Sequence, residues 1–501
     1  MPRGGSGHTI CMKTLFGNCR LPLSGGTEFC VQHEHFAHVS PPFDRTEDLN
    51  GAFVLPAFSD AHSHLLAYAL SLLQADGAAC RTAQDFIDAA RAFSEERDLG
   101  PDALVTIKNA ETLPPAQPLD ACPRPIHIQM RSGHAGLFNA AARALFGLTD
   151  AAGPLEETAY LSATKRVPMP GEKDILHAFS RAQRDYLAHG MTTAQEGFLS
   201  REMFPVYEML LRENALLADV AAYPSPADYD EARARFAEAE RFSVAGVKIF
   251  LDGSPQQKTA FLREPYTGGG HGAPTMTAQE LGDACRFAAD RRAQLLAHCN
   301  GDGAAEMFLD ALARLSDRER CAIRPVLIHG QILGDDQLDR MRALGAMPSF
   351  FPAHVRYWGD VHLKNLGRER AERISPARSA LERGIAFTLH QDTPVCPPDP
   401  LEAAACAVLR RTAAGERFSA QGIGVLDALR ALTEHAAVQY ADSRKGRIGA
   451  GKRADFLILD GDPFRETGSV RVRETWLRGK PVFRAADTAE NPPTARSRAP
   501  G

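Results

Sequence analysis

Two histidines one residue apart, His62 and His64, end the stretch Val54-Leu-Pro-Ala-Phe-Ser-Asp-Ala-His-Ser-His. In an extended segment, residues i and i+2 point to the same face, so both imidazoles can aim at one point just past a strand end. Convergent imidazoles begin a site for zinc or a similar divalent ion. A His-x-His pair alone is equally consistent with chance or surface placement, so the prediction depends on further ligands elsewhere in the chain.

Other residues of suitable chemistry follow predicted strands: Lys248, His298, His329 and Asp392. Each has a structural alternative. A lysine can extend from a strand edge to water, a histidine can be a hydrogen-bonded core residue, and an aspartate can cap a helix or a turn. Their joint occurrence at the same ends of successive strands is what predicts a metal site.

The elements that must position these residues alternate in type. Strand-like runs cover residues 54–58, 191–195, 218–223, 247–251, 294–298, 325–329, 346–351 and 385–389. Helical stretches separate several of them, and strands alternating with helices indicate a parallel sheet. Eight such units predict an α/β fold of the (β/α)8 (TIM) barrel type over residues 54–439, with the active site at the carboxyl ends of the strands.

Two further regions accompany the predicted barrel. Residues 66–188 are too long for a connection between strand and helix, and we interpret them as an inserted α+β subdomain over the barrel mouth. Residues 10–53 and 440–484 are both rich in short strands and predict one small composite β-sandwich domain built from both termini. Residues 485–501, rich in Pro, Ala and Arg, predict a disordered tail.

The chemistry of the set is that of a binuclear centre. His62 and His64 would hold one metal ion and His298 and His329 a second, with Asp392 reaching the first ion and a bridging water. Burial drives Lys248 towards its neutral amine, which can add carbon dioxide and form a carbamate that bridges two metals.

Two metals would polarise a carbonyl and lower the pKa of bound water from 15.7 towards roughly 7, so that a bridging hydroxide becomes the nucleophile. Asp392 would take the proton of the water and deliver it to the leaving nitrogen. The set therefore predicts hydrolysis of a C–N bond.

From about residue 13 to 484 the chain resembles the amidohydrolase superfamily. The matching motifs are Pro56-Ala-Phe-Ser-Asp-Ala-His-Ser-His and Gly446-Arg-Ile-Gly-Ala-Gly-Lys-Arg-Ala-Asp-Phe-Leu-Ile-Leu-Asp. Within it, the chain is most similar to amidohydrolase family 3, the YtcJ-like group that contains N-substituted formamide deformylase. That similarity is carried by Gly133-His-Ala-Gly with Asn139, Val247-Lys-Ile-Phe-Leu-Asp-Gly-Ser, His298-Cys-Asn-Gly-Asp-Gly-Ala and Gln391-Asp-Thr-Pro-Val.

The resemblance implies metal ligands at His62, His64, Lys248, His298, His329 and Asp392. It also implies two divalent ions, zinc first with manganese or iron as alternatives, and an N6-carboxylated Lys248. The implied substrate is a small molecule with an amide-type bond, an N-acyl or N-formyl amine. One departure is Gln391, which stands where a serine is common before the aspartate.

Candidates for the substrate cleft come from outside the ligand set. Glu196 ends the second predicted strand. It could contact a metal ion or the substrate, or it could cap the next helix, and the sequence favours neither alternative. His134 begins a helix-like stretch in the insertion, where a structural role is an equal alternative. His354, Arg356 and Trp358 follow the seventh strand; they suit a substrate with a ring or a carboxylate, and a solvated loop explains them equally well.

Two rival functions remain. A deaminase or cyclic-amide hydrolase could use the same scaffold, but deaminases of the superfamily usually bind one metal and lack the bridging lysine, so Lys248 counts against them. A non-catalytic scaffold protein is the other rival; such proteins usually lose ligands, and none is missing from this sequence.

Composition limits the class of protein and the partners that can be expected. The 501 residues carry 57 Lys+Arg and 62 Asp+Glu, a net charge of −5, with 44% hydrophobic residues, as in soluble globular proteins. The mildly acidic balance argues against nucleic acid or a membrane as a partner, and a homodimer is left open. The start of the chain predicts no signal peptide, and the ten cysteines include no Cys-x-x-Cys, so a cytoplasmic location is expected.

Overall fold

The structure, a computed structural model, describes residues 12–130, 135–148 and 153–485. Its strands are β1 (Lys13–Arg20), β2 (Phe29–Gln32), β3 (His35–Ala37), β4 (Arg45–Pro56), β5 (Phe58–Ser59), β6 (Ala75–Asp76), β7 (Val105–Ala110), β8 (Ile126–Met130), β9 (Ala135–Phe138), β10 (Leu155–Glu156), β11 (Met191–Leu199), β12 (Asp219–Pro224), β13 (Phe242–Val244), β14 (Gly246–Phe250), β15 (Gln294–Cys299), β16 (Val326–His329), β17 (Met347–Phe350), β18 (Thr388–Leu389), β19 (Phe456–Leu459), β20 (Val472–Leu477) and β21 (Lys480–Arg484). The fold class is α/β, as the sequence predicts.

The helices are α1 (Leu65–Ser71), α2 (Ala83–Glu96), α3 (Ala116–Asp120), α4 (Ala140–Phe146), α5 (Glu157–Thr164), α6 (Glu172–Ala188), α7 (Phe204–Arg212), α8 (Tyr229–Arg235), α9 (Ala278–Arg291), α10 (Asp302–Ala313), α11 (Asp317–Ile323), α12 (Asp335–Leu344), α13 (Ala353–Leu366), α14 (Arg368–Glu372), α15 (Ala377–Glu382), α16 (Pro400–Leu409), α17 (Val425–Leu432) and α18 (Glu434–Gln439). Local sequence explains several boundaries. Thr277 with Glu280 forms a capping box at the start of α9, so the first free backbone N–H groups are satisfied by side chains. None of the helices within the described residues is long and apolar enough to cross a membrane.

Strands from both ends of the chain share one sheet, in the order β21-β20-β19-β4-β1-β2-β3. Its buried face is aromatic: Phe16 stacks on Phe29 with ring centroids 4.9 Å apart, and Phe456 stacks on Trp476 at 5.1 Å. Such pairs add about 0.5–1.5 kcal/mol each beyond the area that they bury. The aromatic core therefore ties residues 13–56 to residues 456–484.

Two further sheets are parallel and contain the strands that carry most of the candidate ligands. Their strand orders are β13-β12-β11-β5 and β14-β15-β16-β17-β18. They meet at Ala245, which separates β13 from β14, so that one continuous segment pairs first with β12 and then with β15. In the second sheet, Phe250 lies beside His298 and Cys299 beside His329. The register therefore brings the strand ends that carry the histidines to one level.

Two strand predictions differ from the structure. The apolar run predicted as one strand over 54–58 is divided, because Val54 belongs to β4 and pairs with Ile458 in the terminal sheet, whereas Phe58 begins β5. The strand predicted over 385–389 is shorter in the structure, where β18 covers only Thr388–Leu389. The three-residue strand β13 has no predicted counterpart, because Ser243 between Phe242 and Val244 leaves only a short alternating run. Apolar periodicity marks burial but does not show which sheet a strand joins.

Residues 66–182 form a compact unit of their own, and residues 1–65 with 183–501 form the other. The smaller unit has a sheet in the order β10-β9-β8-β7-β6. Ile107, Ile128 and Phe86 are fully buried between that sheet and α2. The described part of the smaller unit thus has a hydrophobic core of its own. The tail predicted to be disordered, from residue 486 onward, lies outside the described residues.

Candidate metal-binding active site

A carboxylate surrounded by imidazoles lies at the carboxyl ends of the parallel strands. Asp392 Oδ1 is 3.4 Å from His62 Nε2 and 3.6 Å from His64 Nε2, and Asp392 Oδ2 is 3.9 Å from His329 Nε2. One atom each from His62, His329 and Asp392 lies within 4.8 Å of the others, as three ligands of one ion would. The geometry thus joins the first and last predicted ligands, which are far apart in sequence.

The other two predicted ligands extend the same cluster. His298 Nδ1 lies 3.2 Å from His329 Nε2, and Lys248 Nζ lies 3.3 Å from His62 Nε2. The structure therefore brings all six predicted ligand side chains into one contiguous group.

Burial keeps this group largely uncharged. Burial first, and then the charge of Lys248, lower the pKa of His64 and of His298 to about 3. Burial also lowers the pKa of the Lys248 ammonium and raises that of the Asp392 carboxyl. Neutral imidazoles and a neutral lysine amine offer lone pairs, which are the form of these groups that can bind a metal ion or carbon dioxide.

The cluster has more acceptors than donors. Asp392 Oδ1 is buried and has no hydrogen-bond partner among the described residues. A buried carboxylate without donors costs free energy, because nothing replaces the water that it has lost. A divalent cation among these oxygen and nitrogen atoms would satisfy them, so the residues fit the metal centre that the sequence predicts.

Two members of the cluster have left-handed backbones. The φ angle is 78° at His329 and 53° at Asp392. Non-glycine residues rarely adopt such angles, and the cost is of order 1–3 kcal/mol each. In both cases the chain turns immediately after a strand end, and the turn directs the side chain towards the other ligands.

The outer nitrogen of each imidazole also has a neighbour. Gln195 Oε1 lies 2.7 Å from His62 Nδ1, and its amide nitrogen donates to the Ala61 carbonyl, which fixes the oxygen towards the histidine. His62 Nδ1 must then carry the proton, so Nε2 faces the cluster as a lone pair. His390 Nε2 lies 3.1 Å from His329 Nδ1, and Ser349 Oγ lies 2.9 Å from His390 Nδ1. Partners of this kind orient metal ligands.

Gln195 and His390 were not among the predicted site residues. The sequence does contain a signal for each, because His390 stands two residues before Asp392 and Gln195 immediately precedes Glu196. Neutral side chains that hold other side chains in place follow no spacing rule of their own, so spacing alone does not identify them.

Glu196 lies inside β11 and caps no helix, so that alternative is wrong: the strand runs on to Leu199. Its side chain is fully buried, Oε2 accepts a hydrogen bond from the Tyr207 hydroxyl at 2.6 Å, and Oε1 is 3.9 Å from His64 Nδ1. A carboxylate behind an imidazole orients the ring and raises its basicity. Glu196 Oε1 faces His64 at ion-pair distance, 3.9 Å, which is longer than a hydrogen bond.

The residues after the seventh strand are not a solvated loop, because His354, Arg356 and Trp358 belong to α13. His354 is buried, stacks on His362 at 5.4 Å and contacts Trp358 at 4.7 Å. Arg356 is half-exposed and faces Glu402 at 3.6 Å. The apolar and aromatic neighbours of His354 favour a core role for it. His134, the remaining candidate, lies outside the described residues.

Above the ionisable residues lies a layer of aromatic side chains. Phe198 and Phe250 stand two residues after Glu196 and Lys248 on their strands, so each points to the same side as the residue below it. Their rings meet edge to face at 5.1 Å, and the Phe250 ring is 5.6 Å from that of His298. Phe250 is 38% exposed. An exposed phenyl ring beside the cluster offers a surface to an apolar group.

Comparison with known proteins decides the family. The sequence profile of the amidohydrolase family, family 3, matches residues 45–483. The chain belongs to the amidohydrolase family. The family assignment made from the motifs is confirmed, and so is the prediction of an enzyme that hydrolyses C–N bonds.

Individual amidohydrolases resemble the chain to different extents. YtcJ of Bacillus subtilis (strain 168), named as an amidohydrolase, is 26% identical over 490 residues, covering 87% of this chain and 90% of YtcJ. N-substituted formamide deformylase of Arthrobacter pascens is 30% identical over 215 residues, 42% of this chain and 40% of the deformylase. The crystal structure of an uncharacterized metal-dependent hydrolase from Pyrococcus horikoshii OT3 covers 91% of this chain and 99% of its own, with a TM-score of 0.78 at 22% identity. That likeness shows the amidohydrolase fold.

Proposed function

We propose that this amidohydrolase is a metal-dependent hydrolase of an amide-type C–N bond, an N-acyl or N-formyl amine, with its catalytic cluster at one mouth of a (β/α)8 barrel. The observation that carries the proposal is Asp392, whose buried Oδ1 lies among neutral imidazoles and has no hydrogen-bond partner in the described part of the chain. Such a group needs a cation, and it lies where a barrel enzyme has its active site.

We propose six residues as the holders of two divalent ions, zinc first, with manganese or iron as alternatives: His62, His64, Lys248 as its carbamate, His298, His329 and Asp392. Two such ions supply Lewis acidity, which polarises the scissile carbonyl and acidifies water. The related Pyrococcus horikoshii protein is described as a metal-dependent hydrolase, which supports metal use here.

The side chains of the cluster divide the remaining work. Lys248 forms the carbamate, because burial favours the neutral amine that adds carbon dioxide. Asp392 accepts the proton of the attacking water and returns it to the nitrogen of the leaving amine, and its raised pKa suits a group that must do both near neutral pH. Gln195, Glu196 and His390 keep the imidazoles turned towards the cluster.

The two phenyl rings beside the cluster, Phe198 and Phe250, limit the kinds of substrate that we propose. An apolar substituent on the amine or acyl side would pack against Phe250, which is exposed beside His298. Burying a ring or alkyl group there is favoured by roughly 25 cal/mol per Å². The relative named N-substituted formamide deformylase supports an N-substituted formamide as the first compound to test.

The test is metal analysis combined with a substrate panel. Purified protein is expected to contain close to two divalent ions per chain, and zinc- or manganese-loaded protein should hydrolyse members of a panel of N-formyl, N-acetyl, N-acyl amino acid and cyclic amide compounds. His298→Ala should lose both metal and activity, whereas Arg465→Ala, on an exposed turn, should keep both. No stoichiometric metal, together with full hydrolysis by the His298→Ala protein, would reject the proposal.

Lys248 separates the proposal from deamination. Lys248→Ala should lower the metal content below two ions and reduce amide hydrolysis, because the bridging carbamate is gone. A single ion in the natural protein, unchanged in Lys248→Ala, together with release of ammonia from amino-substituted rings, would favour a deaminase instead.

A further inference from the structure

A second cluster of charged side chains surrounds a cavity at the amino ends of the parallel strands. The cavity has a volume of about 470 Å³ and is lined by the first residues of β12 and β13, by Thr193 of β11 and by the chain after α18. Pockets of this size hold small organic molecules. The clustered histidines follow β5 or lie on β15 and β16, and none of them lines this cavity, so it is separate from the catalytic cluster.

The lining of the cavity is rich in cations. Its basic residues are Arg241, Arg444, Lys445, Arg453 and Arg478, and its acidic ones are Asp219 and Asp442. The whole chain, by contrast, has a net charge of −5. This local excess of positive charge is a specific feature of the cavity, because the composition of the whole chain is slightly acidic.

Part of this charge is already neutralised. Asp219 accepts hydrogen bonds from Lys445 Nζ at 2.9 Å and from Arg453 Nη2 at 2.6 Å, and Asp442 holds Arg444 through two contacts of 2.9 Å. Lys445 and Arg453 are buried and are also held by Asp455 behind the cavity. These residues form an internal network whose charges are balanced.

Two arginines of the lining, Arg241 and Arg478, have weaker contacts with carboxylates or none. In the described part of the chain no carboxylate lies within 4 Å of Arg241, whose Nη1 donates only to the Leu217 carbonyl, at 2.8 Å. Arg478 Nη2 donates a long hydrogen bond of 3.4 Å to Asp219, and Nη1 lies 3.7 Å from the exposed Glu240. The buried Nε of Arg478 has no acceptor among the described residues. A buried guanidinium N–H without an acceptor is costly, and an arginine fork matches the oxygens of a phosphate.

We propose that this cavity binds a phosphate group, either inorganic phosphate or the phosphate of a small metabolite, between Arg241 and Arg478. The ligand would place its oxygens against Arg241, which has no carboxylate within 4 Å among the described residues, and against Arg478, whose Nε has no acceptor there, and the balanced pairs of Lys445 and Arg453 would stay as they are. Charge-assisted hydrogen bonds from two arginines are the usual means by which proteins hold such a dianion.

Calorimetric titration of the metal-loaded protein at constant ionic strength tests the site. Inorganic phosphate and adenosine monophosphate are expected to bind saturably, and adenosine, which lacks the phosphate, is not. Arg241→Gln with Arg478→Gln should weaken phosphate binding at least about tenfold, because both charge-assisted contacts are lost. Tighter binding of the monophosphate than of inorganic phosphate would identify a metabolite as the source, and equal binding would identify the free ion.

A matched control is Arg465→Gln, whose side chain is 87% exposed on a turn outside the cavity; it should bind phosphate as the natural protein does. The double variant should keep its melting temperature without phosphate and its rate of amide hydrolysis, which shows that it is folded. The proposal is overturned if no phosphate compound binds saturably, if adenosine binds as well as its monophosphate, or if the folded double variant binds phosphate undiminished. The last result would place phosphate at the metal cluster.

Discussion

At the carboxyl ends of the parallel strands Asp392 lies against uncharged imidazoles, whereas at the amino ends Asp219 lies against Lys445 and Arg453. Burial acts on both carboxyls in the same direction, towards a higher pKa. It prevails at Asp392, whose pKa is raised. At Asp219 the charges and hydrogen bonds of Lys445 and Arg453 overcome it and lower the pKa.

The contrast separates buried charges that stabilise the fold from those that indicate a ligand. Where each carboxylate is paired with a cation inside the protein, the network stabilises the fold. Where unpaired groups of one kind remain, either acceptors or positively charged donors, they indicate a ligand of the opposite kind. The catalytic cluster has a surplus of acceptors and fits a cation, and the other cavity has a surplus of guanidinium donors and fits an anion. Changes at the two aspartates should therefore have opposite consequences.

Asp392→Asn should give the largest effect on activity. We expect kcat for the best substrate of the panel to fall by about 10³-fold, because the proton-transferring group is lost. The free energy of unfolding of the metal-stripped protein should not decrease, since the carboxylate that is removed has an oxygen without a donor. Steady-state kinetics and urea unfolding measure the two quantities. Asp317→Asn, at an exposed helix start, is the control for both; an Asp392→Asn protein that is fully active would refute the assignment.

Asp219→Asn should show the reverse pattern. Removing this charge leaves Lys445 and Arg453 with an uncompensated buried cation, and loss of one partner of a buried pair costs about 3–5 kcal/mol. Urea unfolding should show that loss, while kcat of the folded fraction stays within a few-fold of the natural value. Asp230→Asn, which breaks an exposed pair with Arg291, should leave stability unchanged. Equal stability of the Asp219→Asn protein would mean that this network is not structural.

Gln195→Ala should have an intermediate effect, on metal binding. The amide holds His62 by a 2.7 Å contact, and loss of such a partner typically lowers metal affinity 10–100-fold. Competition with a chelator measures that affinity. Gln421→Ala is the control, because Gln421 is likewise buried but bonds to Ser379. If both variants hold metal equally well, Gln195 does not orient His62.

The extent to which the sequence predicts this molecule differs between fold and site. That His62, Lys248 and Asp392 lie in one cluster could be predicted, because metal chemistry restricts candidate ligands to a few residue types and the strands place them at regular ends. Gln195 and His390 stand beside candidate residues in the sequence, but their contacts with His62 and His329 could not be predicted, since these span 133 and 61 residues of chain. The division of the first strand between two sheets was hidden for the same reason: pairing partners come from distant segments.

The cavity at the amino ends shows the same limit more sharply. Arg241 and Arg478 are ordinary surface-type residues in the sequence, and nothing in their spacing connects them. They line one cavity because β13 starts beside the turn that follows β20. Surplus charge is a property of a place in the fold, so it becomes visible only when every carboxylate nearby has been assigned to its partner.

The dependence of stability on pH should also distinguish the two clusters. In the unfolded chain a histidine takes up a proton below about pH 6.5. In the folded protein His64 and His298, with pKa values of about 3, do not, so the stabilisation is complete above pH 6.5 and is lost as the pH falls towards 3. Each such histidine contributes about 1.4 kcal/mol per pH unit in that window.

Three carboxyls act in the opposite direction. Burial raises the pKa of Asp60 to about 6 and of Asp252 and Asp392 to about 7, so their contribution is lost as the pH rises through these values. Among the described residues, the histidines with lowered pKa outnumber them: His62, His64, His127, His298, His329, His354, His362, His390 and His435. The metal-stripped protein should therefore become less stable between roughly pH 6.5 and 4.5.

Urea unfolding of the metal-stripped protein across this range measures the slope. His298→Gln should reduce it by about one proton, which is about 1.4 kcal/mol per pH unit. Asp219→Asn should leave it unchanged, because the pKa of Asp219 is lowered and its contribution disappears only below about pH 4. The opposite result would be a slope of unfolding free energy against pH that changes in Asp219→Asn and not in His298→Gln. It would mean that the groups with pKa values shifted by burial lie at the amino ends of the strands and not at the carboxyl ends.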